Sequence, residues 1–352
     1  MRPVFAHVLG AISIAATLLP LNPTGRGWVR VWDFPRLQIA GLAAVALASL
    51  CAGPRNGAAP ALFAGGLVGA IVFQASRVWR YSPLYPKQVL RSLIQDPERS
   101  LRILTSNVFQ ENRSYQRLLD VVRDSHPDLV LVMETDRAWE HALRPLEAEY
   151  RFTVKCSLDN TYGMMLYSRL PLEDPEVRFL IEDDIPSIRA SVRLRNGRSV
   201  MLYCLHPRPP LPGSPSYARD AELVSVGREI RHAGRPAVIV GDMNDVAWSD
   251  TTRLFQRVSR ALDPRVGRGL YNTFHVRQPL LRYPLDHVFH TPEFTLVQLR
   301  RLPDVGSDHF PMLVELAYEP AAAPVQPPEE MQPQDHQRAV EILDDVREHN
   351  VN

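Results

Sequence analysis

Three stretches without a charged side chain crowd the first eighty residues: Pro3 to Gly25, Leu37 to Pro54 and Asn56 to Ser76. A helix needs ~20 mostly apolar residues to cross ~30 Å of hydrocarbon, because it rises ~1.5 Å per residue. Each run is about that long and ends at or beside an arginine. A cleaved signal peptide accounts only for the first run, and a soluble helix would carry a polar stripe that all three lack. The sequence therefore predicts three transmembrane helices within residues 1–80, a linker over 81–100, and a multi-pass protein of the cell membrane whose first partner is the lipid bilayer.

Charge is segregated along the same boundaries. Residues 1–100 hold ten basic and three acidic side chains, a net +7, while residues 319–352 hold eight acids and two arginines, a net −6. The span 101–318 is then balanced at about zero, and the formal charge of +1 over 352 residues is a cancellation. With three spans, Arg26, Arg30, Arg36, Arg77, Arg80, Lys87 and Arg91 fall on one side and Arg2 and Arg55 on the other. The positive-inside rule then favours a cytoplasmic C-terminal domain. Trp28 to Phe34, with Trp28, Arg30, Trp32 and Asp33, suits an interfacial segment on either face. Three cysteines without CxxC spacing exclude a disulfide scaffold and a Cys-type zinc module.

From about residue 100 the pattern becomes that of a packed domain. Residues 101–108 and 128–134 read as buried strands ending in polar groups, and 114–125 has helical spacing at Leu118, Leu119 and Val122. Further strands are predicted at 152–157, 163–168, 188–194, 199–205, 236–241, 285–290, 294–301 and 312–317, with a helix over 216–233. This mixture predicts an α+β layered domain with two sheets over 101–318. The Pro/Ala/Gln-rich residues 319–352 read as a disordered acidic tail, within which 335–348 has the pattern of one helix without a core to join.

The chemistry gathers where apolar strands run out: Asn107, Glu134, His206, Asp242 and Asn244, Asp286, and Asp308 with His309. Carboxylates and amide oxygens without a Cys cluster suit a hard cation, Mg²⁺ or Mn²⁺. Two histidines among carboxylates suit proton transfer near neutral pH. Tyr162 reads as a strand-edge aromatic or a substrate contact. Arg208, in a Pro-rich loop (Pro207, Pro209, Pro210, Pro212, Pro215), reads as a phosphate contact or a solvated charge. His287 and His290 read as structural, and Cys156 and Cys204 as buried thiols.

Taken in order, these pieces resemble the endonuclease/exonuclease/phosphatase superfamily, the fold shared by pancreatic deoxyribonuclease, abasic-site endonucleases, neutral sphingomyelinases and inositol polyphosphate 5-phosphatases. The matching residues are Ser106-Asn107, Val132-Met133-Glu134, Tyr162-Gly163 through Ser168-Arg169-Leu170-Pro171, and His206-Pro207. They continue with Gly241-Asp242-Met243-Asn244, Leu285-Asp286-His287 and Gly306-Ser307-Asp308-His309-Phe310-Pro311. The likeness covers residues 101–318, about 218 of 352. It implies a four-layer α/β/β/α sandwich of the metal-dependent phosphohydrolase type. It also implies Glu134 as main metal ligand, with Asn107 beside it and Asp308 completing the sphere directly or through water. By the same resemblance, His309 paired with Asp286 acts at the reacting phosphorus, as base or as stabiliser of its oxygens. Asp242 and Asn244 would position nucleophile and phosphate, and His206 would donate to a phosphate oxygen or the leaving group.

Duplex DNA binding draws most of its nonspecific affinity from phosphate neutralisation, and a balanced domain lacks that basic footprint. A tether at the bilayer instead favours a phospholipid, a lipid-linked pyrophosphate or a similar phosphoester. Two rivals stand: a membrane-tethered endo- or exonuclease, and a catalytically inactive membrane scaffold. The resemblance includes membrane-anchored bacterial members with an outward-facing role, opposite to the side the arginines favour.

Overall fold

Alternation along buried strands decides the layering of this protein. The computed structural model describes residues 2–22, 24–52, 58–93, 96–210 and 216–350. Pro54 to Asn56 at the run boundaries, and Pro212 and Pro215 of the Pro-rich loop, lie outside the described residues.

The N-terminal segment forms α1 (Arg2–Leu18), the short α2 (Gly27–Arg30), α3 (Arg36–Cys51) and α4 (Ala58–Val78). Two stretches, Val4–Leu21 and Ala58–Tyr81, are long and apolar enough to cross a membrane. The third expected span meets that test only as a pair, Gly27–Asp33 and Arg36–Cys51, bent by 73° at its break. Helices α1, α3 and α4 close on one another around Ala43, Ala46 and Leu67.

One sheet contains β1 (Ser100–Asn107), β2 (Leu129–Met133), β3 (Phe152–Cys156) and β4 (Met164–Ser168), with β10 (Phe294–Arg301) and β11 (Met312–Tyr318), in the order β10-β11-β1-β2-β4-β3. The other contains β5 (Leu172–Arg178), β6 (Ser187–Arg193), β7 (Ser199–Cys204), β8 (Ala237–Asp242) and β9 (Asp286–His290) in sequence order. Successive strand side chains point to opposite faces. Hence Ile103, Leu129 and Leu131 meet Leu202, Val238 and Val240 in a core between the sheets. Their neighbours Leu104, Val130 and Val132 pack outward under α5 (Tyr115–Ser125) and α6 (Arg137–Ala142). On the other side Tyr203 and Ile239 pack under α7 (Tyr217–Ala233) and α8 (Asp250–Ser259). Strands buried on both faces read as unbroken apolar runs, as 129–133 and 237–240 do. The result is the expected α/β/β/α sandwich.

Two expectations at the domain edges are corrected. Residues 81–100 are not a free linker: Val89 is fully buried in the inter-sheet core and the buried Tyr81 hydroxyl donates to the Ala247 carbonyl at 2.6 Å. Nor is 319–352 a disordered tail. Its α9 (Pro333–Asn350) sets Ala339, Ile342 and Val346 against Ala221 and Val224 of α7 and Leu254 and Val258 of α8. Arg257 holds Asp335 with two bonds of 2.8 Å, and Glu329 accepts from Arg80 and Arg253. Three apolar residues at helical spacing suffice once a groove between two other helices receives them.

Glu222 on α7 is buried, and burial pushes its carboxyl up to about 8, with Glu182 adding to the effect and Arg178 opposing it. The folded state keeps this proton while the unfolded chain releases it above about 4.5. Stability is therefore lost as pH rises from about 4.5 to about 8. Glu222→Gln is expected to match wild type in thermal unfolding at pH 4.5 and to exceed it by several degrees at pH 8, at about 1.4 kcal/mol per pH unit. Equal melting temperatures at both pH values would refute the assignment.

Candidate active site

Two parallel strand pairs, β1-β2 crossing through α5 and β7-β8 crossing through α7, end at the same rim of the sandwich. Asn107 closes β1, Glu134 follows β2, His206 lies two residues past β7 and Asp242 closes β8. Antiparallel pairing supplies the rest. Asp286 opens β9 directly opposite Asp242, and His309 lies three residues before β11, the antiparallel neighbour of β1. Gly241 lets β8 come in close, since a Cβ there would stand 1.9 Å from the Leu205 carbonyl oxygen. All eight residues expected from the sequence are thus brought to one rim by topology.

Asn107 donates from one amide nitrogen to Glu134 at 2.7 Å and to Asp242 at 3.1 Å. Glu134 also accepts from the backbone N–H of Gln110 at 3.3 Å. Burial pushes the Glu134 carboxyl up to about 7, and the nearby Asp308 and Asp242 add to this against the Asn107 bond and His309. Crowded, poorly neutralised carboxylates of this kind fit a hard cation. Asp242, Asp286 and His309 also lie with one ligand atom each within 4.8 Å, a buried group able to hold a metal ion.

His309 Nδ1 donates to Asp286 at 2.8 Å, and its Nε2 faces Asp242 at 3.6 Å. Burial alone would lower this imidazole, yet Asp286, Asp242 and Asp308 together raise it to about 10. Asp242 is itself held low: burial opposes this, but His309, His206 and the Asn244 backbone N–H outweigh it. His206 is the opposite case. Burial pushes it down to about 4, its Nε2 stands 4.0 Å from Asp242, and its Nδ1 has no partner among the described residues.

Asn244 adopts a positive φ of 50° and its side-chain amide donates to the Pro207 carbonyl at 2.9 Å. It therefore braces the loop that carries His206. Asp308 accepts from Ser307 Oγ at 3.3 Å. The Tyr162 ring lies 5.4 Å from the His206 ring, and the Arg208 guanidinium, paired to Glu182 at 2.9 Å, lies 5.5 Å from the centre of the same Tyr162 ring. His287 is structural, accepting from Arg265 at 2.6 Å and donating to the Asp245 carbonyl at 2.8 Å, and His290 donates to the Thr291 carbonyl. Cys156 and Cys204 are free thiols, half-buried and buried.

Three further residues contribute to the site. Phe274 lays its ring 4.9 Å from that of His309, Ser307 Oγ bonds the Asn107 carbonyl and the His309 N–H, and Arg219 donates to the Asn244 carbonyl at 3.0 Å. Ser307 lies two residues before His309 in the Gly306–Pro311 motif, whereas Phe274 and Arg219 lie in no motif of the sequence.

Residues 104–309 match the Endonuclease/Exonuclease/phosphatase family. No curated protein matches the sequence. Among solved structures, D. rerio TDP2 complexed with single-strand DNA product is 18% identical, with a TM-score of 0.53 over 62% of this chain and 98% of that one. The human Nocturnin catalytic domain with bound sulfate is 14% identical, with a TM-score of 0.51 over 65% and 96%. An endonuclease/exonuclease/phosphatase from Bacteroides vulgatus is 20% identical, with a TM-score of 0.50 over 62% and 99%.

Proposed function

Because the chain belongs to the Endonuclease/Exonuclease/phosphatase family, we propose that it is a membrane-anchored, divalent-metal-dependent phosphoesterase whose substrate is a phospholipid or lipid-linked phosphoester. The observation that carries the chemistry is the His309–Asp286 pair at 2.8 Å, set 3.6 Å from Asp242 and beside Glu134. Glu134, Asn107 and Asp308 would hold Mg²⁺ or Mn²⁺, while His309 is committed to Asp286. The cation, when bound, neutralises charge developing on the phosphoryl oxygens.

The chain's own groups then have separable tasks. Asp286 fixes the His309 ring and keeps it protonated, so that its Nε2–H is a donor for a phosphoryl oxygen. Asp242, held ionised, accepts a hydrogen bond from the attacking water and takes its proton. Neutral His206 donates to the phosphate or the leaving group, and Asn244 keeps its loop in place. Preorganised donors and acceptors of this kind supply much of a hydrolase's rate.

A lipid substrate is supported by the apolar N-terminal helices and by the balanced charge of 101–318, which offers duplex DNA no basic footprint. The full chain in nanodiscs, with Mg²⁺ or Mn²⁺, is expected to release phosphate or headgroup from phospholipid and to leave supercoiled plasmid intact. Efficient nicking with inert phospholipid would make it a tethered nuclease. Absence of metal-dependent turnover on every phosphoester, including bis-p-nitrophenyl phosphate, would make it a scaffold.

A further inference from the structure

The loop between Phe274 and Tyr283 joins the active site to the apolar helices. Phe274 and Tyr283 are bridged to each other, and Phe274 is also bridged to His309, on whose ring it packs. At the loop's far end the Leu280 carbonyl accepts from Gln38 Nε2 at 2.5 Å, and the Phe34 ring meets Tyr283 edge-on at 5.6 Å. Gln38 lies in the first turn of α3, beside the exposed Leu37. Between these anchors Leu280 is 84% and Leu281 45% exposed.

Trp28 is 47% and Trp79 50% exposed, and both lie where the helices enter the catalytic domain. Tryptophan concentrates at membrane–water boundaries. Arg277 and Arg282 flank the two leucines in sequence, with Arg282 over the Phe310 ring at 5.1 Å. Apolar side chains between cations match an anionic bilayer surface, where acyl chains lie just beneath phosphate.

We propose that residues 275–283 form a membrane-inserted rim of the active site, with Leu280 and Leu281 entering the leaflet beside α3, so that the substrate is a phospholipid phosphoester taken directly from that leaflet. This rests on the phosphoesterase reading above. It adds that the bilayer, rather than a soluble phosphoester or nucleic acid, is what the site's edge contacts. A lipid headgroup reaching Phe274 from this side needs no excursion into water, since one loop carries both the leucines and the aromatic wall of His309.

The test uses the full chain in nanodiscs of phosphatidylcholine and phosphatidylglycerol. In a background with Cys51 and Cys156 replaced by alanine, an NBD fluorophore is placed at Leu280→Cys, or at Arg198→Cys in the exposed β6–β7 turn on the opposite rim. Blue-shifted emission at 280, quenched by doxyl-labelled lipid, with neither effect at 198, is the expected result. Unquenched emission at 280, whether water-like or blue-shifted by a protein contact, would overturn the proposal. A second arm compares wild type with Leu280→Asp/Leu281→Asp. Bilayer phospholipid turnover should fall at least about tenfold, the cost of losing two buried leucines, while bis-p-nitrophenyl phosphate turnover stays within about twofold. Equal retention of both activities would sink the inserted rim. Failure of wild type on bis-p-nitrophenyl phosphate would sink the phosphoesterase reading instead, and the fluorescence result would still decide where the loop lies.

Discussion

His309→Gln is expected to lower kcat on bis-p-nitrophenyl phosphate by about 10²–10³-fold, the usual cost of removing one preorganised charged donor to the reacting oxygens. Glutamine keeps a hydrogen-bonding side chain of similar reach but cannot carry the positive charge that Asp286 and Asp242 maintain on the imidazole. Asp286→Asn should cost less, about 10–100-fold, because it disturbs only the orientation and charge of a ring that remains. The double variant should be little worse than His309→Gln alone, since groups that act as a unit lose their effect together. Thermal unfolding and metal binding by calorimetry should be near wild type for His309→Gln. A kcat within threefold of wild type would remove His309 from the reaction.

Asp33→Ala is expected to destabilise the full chain in detergent by about 3–5 kcal/mol, the range for removing one partner of a buried ion pair. Asp33 is almost completely buried between Arg36 at 2.5 Å and Arg30 at 3.3 Å. From Arg36 the polar chain continues to Gln74 at 2.9 Å and from Gln74 to Thr17 at 3.0 Å. Residues on α1, α3 and α4 are thus tied through one carboxylate. On the other side the Trp248 indole donates to the Asp33 carbonyl at 2.7 Å, and Arg30 donates to Thr251 at 3.3 Å. Losing the carboxylate removes the nearest counter-charge of two buried arginines. Asp33→Leu combined with Arg30→Leu and Arg36→Met should recover much of the loss, because replacing a whole buried ionic cluster by apolar groups is often neutral. An Asp33→Ala protein that melts with wild type would show the network to be energetically idle.

These two sites differ in how far they could be read from sequence. Asp286 opens β9 and His309 precedes β11, both inside motifs whose residue types and order resemble those of the Endonuclease/Exonuclease/phosphatase family. Asp33 sat in a segment legible only as interfacial, because nothing local indicates that a carboxylate will meet Arg36 and a tryptophan at position 248. The edge strand β5 was missed for a related reason. It contains Pro175, is half-exposed and shifts register between Glu173 and Glu176, so it lacks the alternation by which strands are recognised. Helix α8 did carry a signal that the expected elements lack, Leu254, Phe255 and Val258 at helical spacing behind the Ser249 cap, which accepts from Thr252 at 3.0 Å.

The balanced charge of 101–318 between a basic head and an acidic tail is legible in the order of residues along the chain, as are the apolar helices and the doubly buried strands of the layered sandwich. Period-two and long apolar runs are local properties, and local properties survive in one dimension. What the tertiary structure alone decided is the set of partners: Glu222 sealed in α7, Val89 drawn into the core, α9 docked on α7 and α8, and Phe274 against His309. Each depends on side chains distant in the chain meeting at one place. Their energies come from desolvation and charge pairing at that place, and neither exists until the chain has folded.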